Sequence, residues 1–131
     1  MGKVKFLESI IEKFLFTADN EHYMRYSVVR VLERLYPYEI EQIRNMRCPW
    51  CGRKMKSHTY MRKHLLHSSS RCALEYNAMV KDTIETYVEM LRKISKAGCR
   101  KEMYRVEAGN KVKYFKTMKD ATTYYLENMV V

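Results

Sequence analysis

Residues 48–72 read CPWCGRKMKSHTYMRKHLLHSSSRC, and no other stretch limits the chain's folding so tightly. Cysteines at 48, 51 and 72 and histidines at 58, 64 and 67 offer six candidate ligands where a tetrahedral ion needs four. A CxxC beside histidines favours metal over disulfides, and the N-terminal MGKVKFLESIIEKF has acids among its apolar positions, unlike a secretion signal. Redox chemistry is disfavoured, because a thioredoxin-like CxxC sits between an apolar strand and an apolar helix. Here the flanks are EQIRNMR and GRKMKSH.

Charge singles out the same segment. Residues 1–44 and 73–98 are balanced, and 99–131 carry an excess of three positive charges. Residues 45–72 hold Arg47, Arg53, Lys54, Lys56, Arg62, Lys63 and Arg71 with no acid. Most of the +10 net charge is therefore a patch, and a patch of this sign favours phosphate. No apolar run approaches the ~20 residues needed to cross a bilayer, so the expectation is an intracellular protein without a membrane partner.

Apolar periodicity predicts a helix over 3–16 and a second, N-capped by Asn20, running to about Leu35 with Tyr23, Val28, Val31, Leu32 and Leu35 inward. Pro37 ends that helix, and a third follows over 38–46 with Ile40, Ile43 and Met46. A long helix over 72–97, stopped by Gly98, shows a heptad-like seam of Ala73, Asn77, Val80, Ile84, Tyr87, Leu91 and Ile94. That seam offers either packing within the chain or a homodimer interface. Tyr104, Val106, Val112 and Tyr114 alternate around Ala108-Gly109-Asn110, a hairpin signal, and a final helix starts near Thr117 or Asp120. Ala121, Tyr124, Tyr125 and Leu126 are available for its packing. The expected class is α+β, mainly helical: an N-terminal helical region (1–45), a metal module (46–72), a long helix (73–98) and a hairpin–helix (99–131), forming one compact unit.

The metal segment resembles the two-Cys, two-His zinc-finger family. Cys48, Cys51, Met55, Met61 and His64 stand in that family's register, and the likeness covers about 25 of 131 residues. After His64 it departs, since the usual positions for the last ligand fall on Ser68, Ser69 and Ser70. His67, three residues on, lies on the same helical face, whereas Cys72 needs the chain to turn back. A third arrangement uses His67 with Cys72 and leaves out His64. The favoured set is Cys48, Cys51, His64 and Cys72 around one structural zinc ion, with His67 as the alternate ligand. His58 is expected to face solvent, His22 to be partly buried, and Cys99 to be a small apolar filler.

Four protein ligands leave no open coordination position, and no carboxylate stands between Gln42 and Leu74 to act as a general base, so no enzyme is expected. The resemblance implies a helix from about His58 entering the major groove of double-stranded DNA. Ser57, Thr59, Tyr60 and Lys63 would face bases, and Arg53, Lys54, Lys56 and Arg62 phosphates. One finger spans about three base pairs, so a second contact is needed, from a dimer, the N-terminal helices or the basic hairpin. The build is similar to small zinc-finger proteins of archaeal viruses, which implies a transcriptional regulator in a host cytoplasm. Two other readings remain open at this point: a zinc-stapled protein–protein interaction module, and RNA binding through Trp50 and Tyr60.

Overall fold

The computed structural model describes residues 2–18, 21–67, 69–97 and 103–129. The fold is α+β and mainly helical, with a three-stranded antiparallel sheet near its C-terminal end. It divides into two compact units, Met1–Ile84 and Glu85–Val131, so the division falls inside the long helix rather than at a composition boundary.

In the first unit, α1 (Gly2–Leu15) buries Ile10, Ile11, Phe14 and Leu15, positions one helical turn apart. Each such burial stabilises by about 2 kcal/mol relative to exposure. The expected second helix is split. Glu21–Arg25 form a 3₁₀ turn, Tyr26 is extended, and α2 begins at Ser27 and ends at Leu35. Aromatic contacts accompany the break: the Tyr23 and Tyr26 rings stack at 6.3 Å, and His22 meets Tyr23 edge-on at 5.0 Å. His22 is exposed rather than partly buried, and Tyr23 only half-buried. Asn20, the expected cap, lies outside the described residues. α2 buries Val28, Val29, Val31 and Leu32; Pro37 then occupies the first turn of α3 (Pro37–Arg44), where its missing N–H costs no helical bond.

After α4 (His58–Leu66) comes α5, which runs from Arg71 to Lys93. Its buried positions are Cys72, Ala73, Tyr76, Met79, Val80, Thr83, Ile84 and Met90. The expected seam is thus corrected: Asn77 is exposed and Leu91 is 40% exposed, while Tyr76, Met79 and Thr83 take their share of the interior. Thr83 is tolerated there because its hydroxyl donates to the Met79 carbonyl at 2.8 Å.

In the second unit, α5 ends four residues earlier than expected. Ile94–Ala97 form β1, paired antiparallel to β2 (Met103–Ala108) with Ile94 opposite Val106 and Lys96 opposite Tyr104. The last expected helical turn therefore exchanges its intrahelical bonds for ladder bonds and places β-branched Ile94 in a sheet core. Gly98 and Cys99 lie outside the described residues. The expected hairpin is present: β2 pairs β3 (Lys111–Phe115) with Ala108 opposite Lys111. Gly109 takes φ +64° at the first turn position, the type II′ pattern that suits sheet twist. α6 (Met118–Glu127) is capped by Thr117, whose hydroxyl accepts from the Asp120 N–H, and buries Ala121, Thr122, Tyr125 and Leu126. With Ile94, Val106 and Ala108 these form this unit's core.

Candidate metal centre

The knuckle is built by backbone bonds that leave the sulfurs facing inward. Arg47 and Lys54 form an antiparallel bridge, Cys48 N–H donates to the Arg53 carbonyl at 2.9 Å, and Gly52 N–H returns to the Cys48 carbonyl at 2.8 Å. Gly52 closes the turn at φ +76°, a conformation that disfavours a side chain. Met46 adopts φ 60° on entry, and its carbonyl accepts from Met55 N–H at 2.7 Å. α4 starts at once because the Ser57 hydroxyl accepts from Tyr60 N–H at 3.3 Å. Met61 and Leu65 are its buried face, and His64 lies beside them on the inner side. Ser70 then turns the chain into α5, with Ala73 N–H approaching its hydroxyl at 3.4 Å, which sets Cys72 in the first turn of that helix.

Cys48, Cys51, His64 and Cys72 converge, with their ligand atoms all within 4.8 Å of one another. Cys51 Sγ lies 3.6 Å from His64 Nε2. Around a tetrahedral ion of zinc's size, bonds of about 2.3 Å to sulfur and 2.0–2.1 Å to nitrogen give an S···N edge of about 3.5–3.6 Å, which the Cys51–His64 distance matches. His67 lies outside this cluster. It ends α4, with Nε2 3.3 Å from an Arg62 guanidinium nitrogen. His58 is half-buried rather than solvent-facing, and its Nδ1 is buried without a hydrogen-bond partner.

Burial and mutual proximity set the charge states of Cys72, Cys51 and His64 differently. Burial pushes the Cys72 thiol up, as do the neighbouring Cys48 and Cys51 sulfurs, to about 12. Burial raises Cys51 too. There the Arg53 N–H, the Cys48 and Cys72 thiols and the Arg53 charge outweigh burial and hold Cys51 below the usual thiol value. Burial and then Arg53 keep His64 below the usual imidazole value, so it is neutral and ready to ligate. Three sulfurs this close cannot all ionise unaided; a dication in their midst removes that repulsion.

The basic residues surround this centre unevenly. Arg53, Lys54, Lys56, Thr59, Tyr60 and Lys63 are exposed. Arg53, Lys54, Lys56 and Tyr60, with Met55, line a shallow hollow of about 270 Å³. Lys63 Nζ sits 5.9 Å from the Tyr60 ring centroid. Two expected contacts are otherwise engaged: the Ser57 hydroxyl caps α4, and Arg62 bonds Glu12 of α1 at 3.0 Å. Nothing in the sequence signals the pairing of Arg62 with Glu12, because fifty residues separate them. Among the described residues no helix is long and apolar enough to cross a membrane. Comparison with protein-family models, with curated proteins and with solved structures finds no match.

Proposed function

We propose that the chain is a zinc-stapled nucleic-acid-binding protein whose α4 face reads double-stranded DNA, acting as a transcriptional regulator. The observation that carries this reading is the coincidence of a Cys₃His cluster with an acid-free segment bearing seven basic side chains. Zinc is structural here, since four protein ligands fill its coordination sphere and leave none for a substrate or a reactive water. The base-facing set narrows to Thr59, Tyr60 and Lys63, with Arg53, Lys54 and Lys56 on phosphates.

The first test is metal content beside duplex binding. One zinc per chain is expected in the wild type, lost in Cys72→Ser and kept in His67→Ala. Duplex affinity should fall with salt at a log–log slope of about −3, as for the three phosphate contacts. Lys56→Ala should reduce that slope by about one. A chain without metal, or with salt-independent binding, would end the reading. A protein partner for the same module is the second reading, favoured by Leu74, which is 67% exposed just after Cys72. It predicts binding nearly indifferent to salt.

A further inference from the structure

Two hollows flank the exposed face of α4, and the metal segment alone builds only one of them. The first, lined by Arg53, Lys54, Met55, Lys56 and Tyr60, lies beside Tyr60. The second, of about 250 Å³, lies between α1 and α4 and is lined by Ser9, Glu12, Lys13, Phe16, Thr17 and Arg62. Tyr60 and Arg62 stand about 160° apart round the helix, with Thr59 and Lys63 in the arc between them. A hollow holding basic side chains therefore borders the base-facing residues on either side.

Among the described residues, Arg62 is the one basic side chain of the acid-free segment with a carboxylate partner, Glu12 at 3.0 Å. His67 Nε2 stands 3.3 Å from its other terminal nitrogen. A guanidinium has five N–H donors, so it can take a further acceptor without releasing these two. Lys13 is exposed in the last turn of α1, and Ser9 and Thr17 bring hydroxyls to the same hollow. Lys13 and Arg62 against one Glu12 carboxylate leave the hollow with one positive charge. A lysine in the last turn stabilises a helix by itself, and that would account for Lys13 alone. It does not account for two cations and two hydroxyls gathered from separate elements at the border of the α4 face.

A major groove about 12 Å wide admits one α-helix, whose two flanks then face the phosphates of opposite strands. We propose that α1 forms the second phosphate contact of the duplex interface. A backbone phosphate of one strand seats between Lys13 and Arg62, while Arg53, Lys54 and Lys56 hold the other strand. This rests on the duplex reading above and supplies the further contact that a span of about three base pairs requires. Glu12 tempers the affinity, because its carboxylate shares Arg62 with the phosphate.

The test is the salt dependence of binding between the full, metal-loaded chain and a labelled mixed-sequence duplex, followed by fluorescence anisotropy. The first flank alone gives a log–log slope of about −3, and one more phosphate should bring the wild type nearer to −4. Lys13→Ala should lower that slope by about one, and Lys13→Arg should keep it. Glu12→Gln should tighten binding by up to about fivefold, the worth of an exposed ion pair. Lys119→Ala removes the same charge from the second unit and should leave the slope unchanged. Unaltered zinc content and circular dichroism should confirm the fold of each variant. An unchanged slope in Lys13→Ala, equal loss in Lys119→Ala, or weaker binding in Glu12→Gln would each overturn the proposal. A wild-type slope of about −3 with Lys13→Ala unchanged would leave the duplex reading standing without α1, whereas salt-independent binding would end both.

Discussion

Residues 46–67 and residues 94–127 solve the same problem with different forces. The first stretch places only Cys48, Met61 and Leu65 fully inside, and the exposed remainder is dense in positive charge. The second buries Ile94, Val106, Ala108, Ala121, Thr122, Tyr125 and Leu126 around a hydrogen-bonded sheet. Where apolar side chains are few, ligand bonds must supply what packing does not, and like charges must be held together against repulsion. The segment richest in candidate chemistry is also the one with fewer buried apolar side chains.

Removing the metal should break the comparison most visibly. With a strong chelator, amides from Cys48 to Leu66 are expected to lose hydrogen-exchange protection while those of β2, β3 and α6 keep theirs. The same event follows pH. The Cys72 thiol, at about 12 in the free site, must give up its proton to bind. Metal affinity should therefore rise with pH and fall in acid, read by competition with a chromogenic chelator.

A pair of core truncations tests the contrast next. Leu65→Ala and Leu126→Ala should each cost about 2–5 kcal/mol in denaturant melts of the metal-loaded protein. After chelation the cost of Leu65→Ala should largely disappear while that of Leu126→Ala persists. Equal persistence of both would mean that the metal segment packs without its ion.

Helix caps should distinguish the regions less. Ser57→Ala and Thr117→Ala each remove a side-chain acceptor from a first-turn N–H and should cost about 1 kcal/mol. The smallest effect is expected for Arg62→Met, since its bond to Glu12 is partly exposed and worth below about 1 kcal/mol. That difference should shrink in high salt.

Much of this contrast was legible before any coordinates. The tight CxxC, the helical placement of His64 and the otherwise unexplained Cys72 pointed to the ligand set that now converges. Ala108-Gly109-Asn110 between alternating residues announced the hairpin, because only a short list of residues tolerates that turn. The long helix was harder. Ala73, Val80 and Ile84 sit beside Cys72, Met79 and Thr83, so two adjacent columns both offer a seam, and only the neighbours in space choose how they share it. Ile94–Ala97 continue a helical period without a stop signal, and their strand depends on partners six to twelve residues later. The ion pair of Arg62 with Glu12 and the ring contacts at Tyr23 and Tyr26 are likewise properties of proximity, which local pattern does not encode.

The place of Cys72 has a consequence for how this module can be inherited or reused. A finger whose ligands all lie between its knuckle and the end of its own helix can be copied, strung in tandem or grafted elsewhere as a self-sufficient cassette. Here the fourth sulfur of the cluster belongs to the opening turn of the next helix, so a cut at residue 70 leaves three of the four candidate ligands. Duplication of the segment would have to carry part of α5 with it, and an insertion among the serines would lengthen the reach between ligands that must close on one ion. The architecture thus favours a single copy, refined in place.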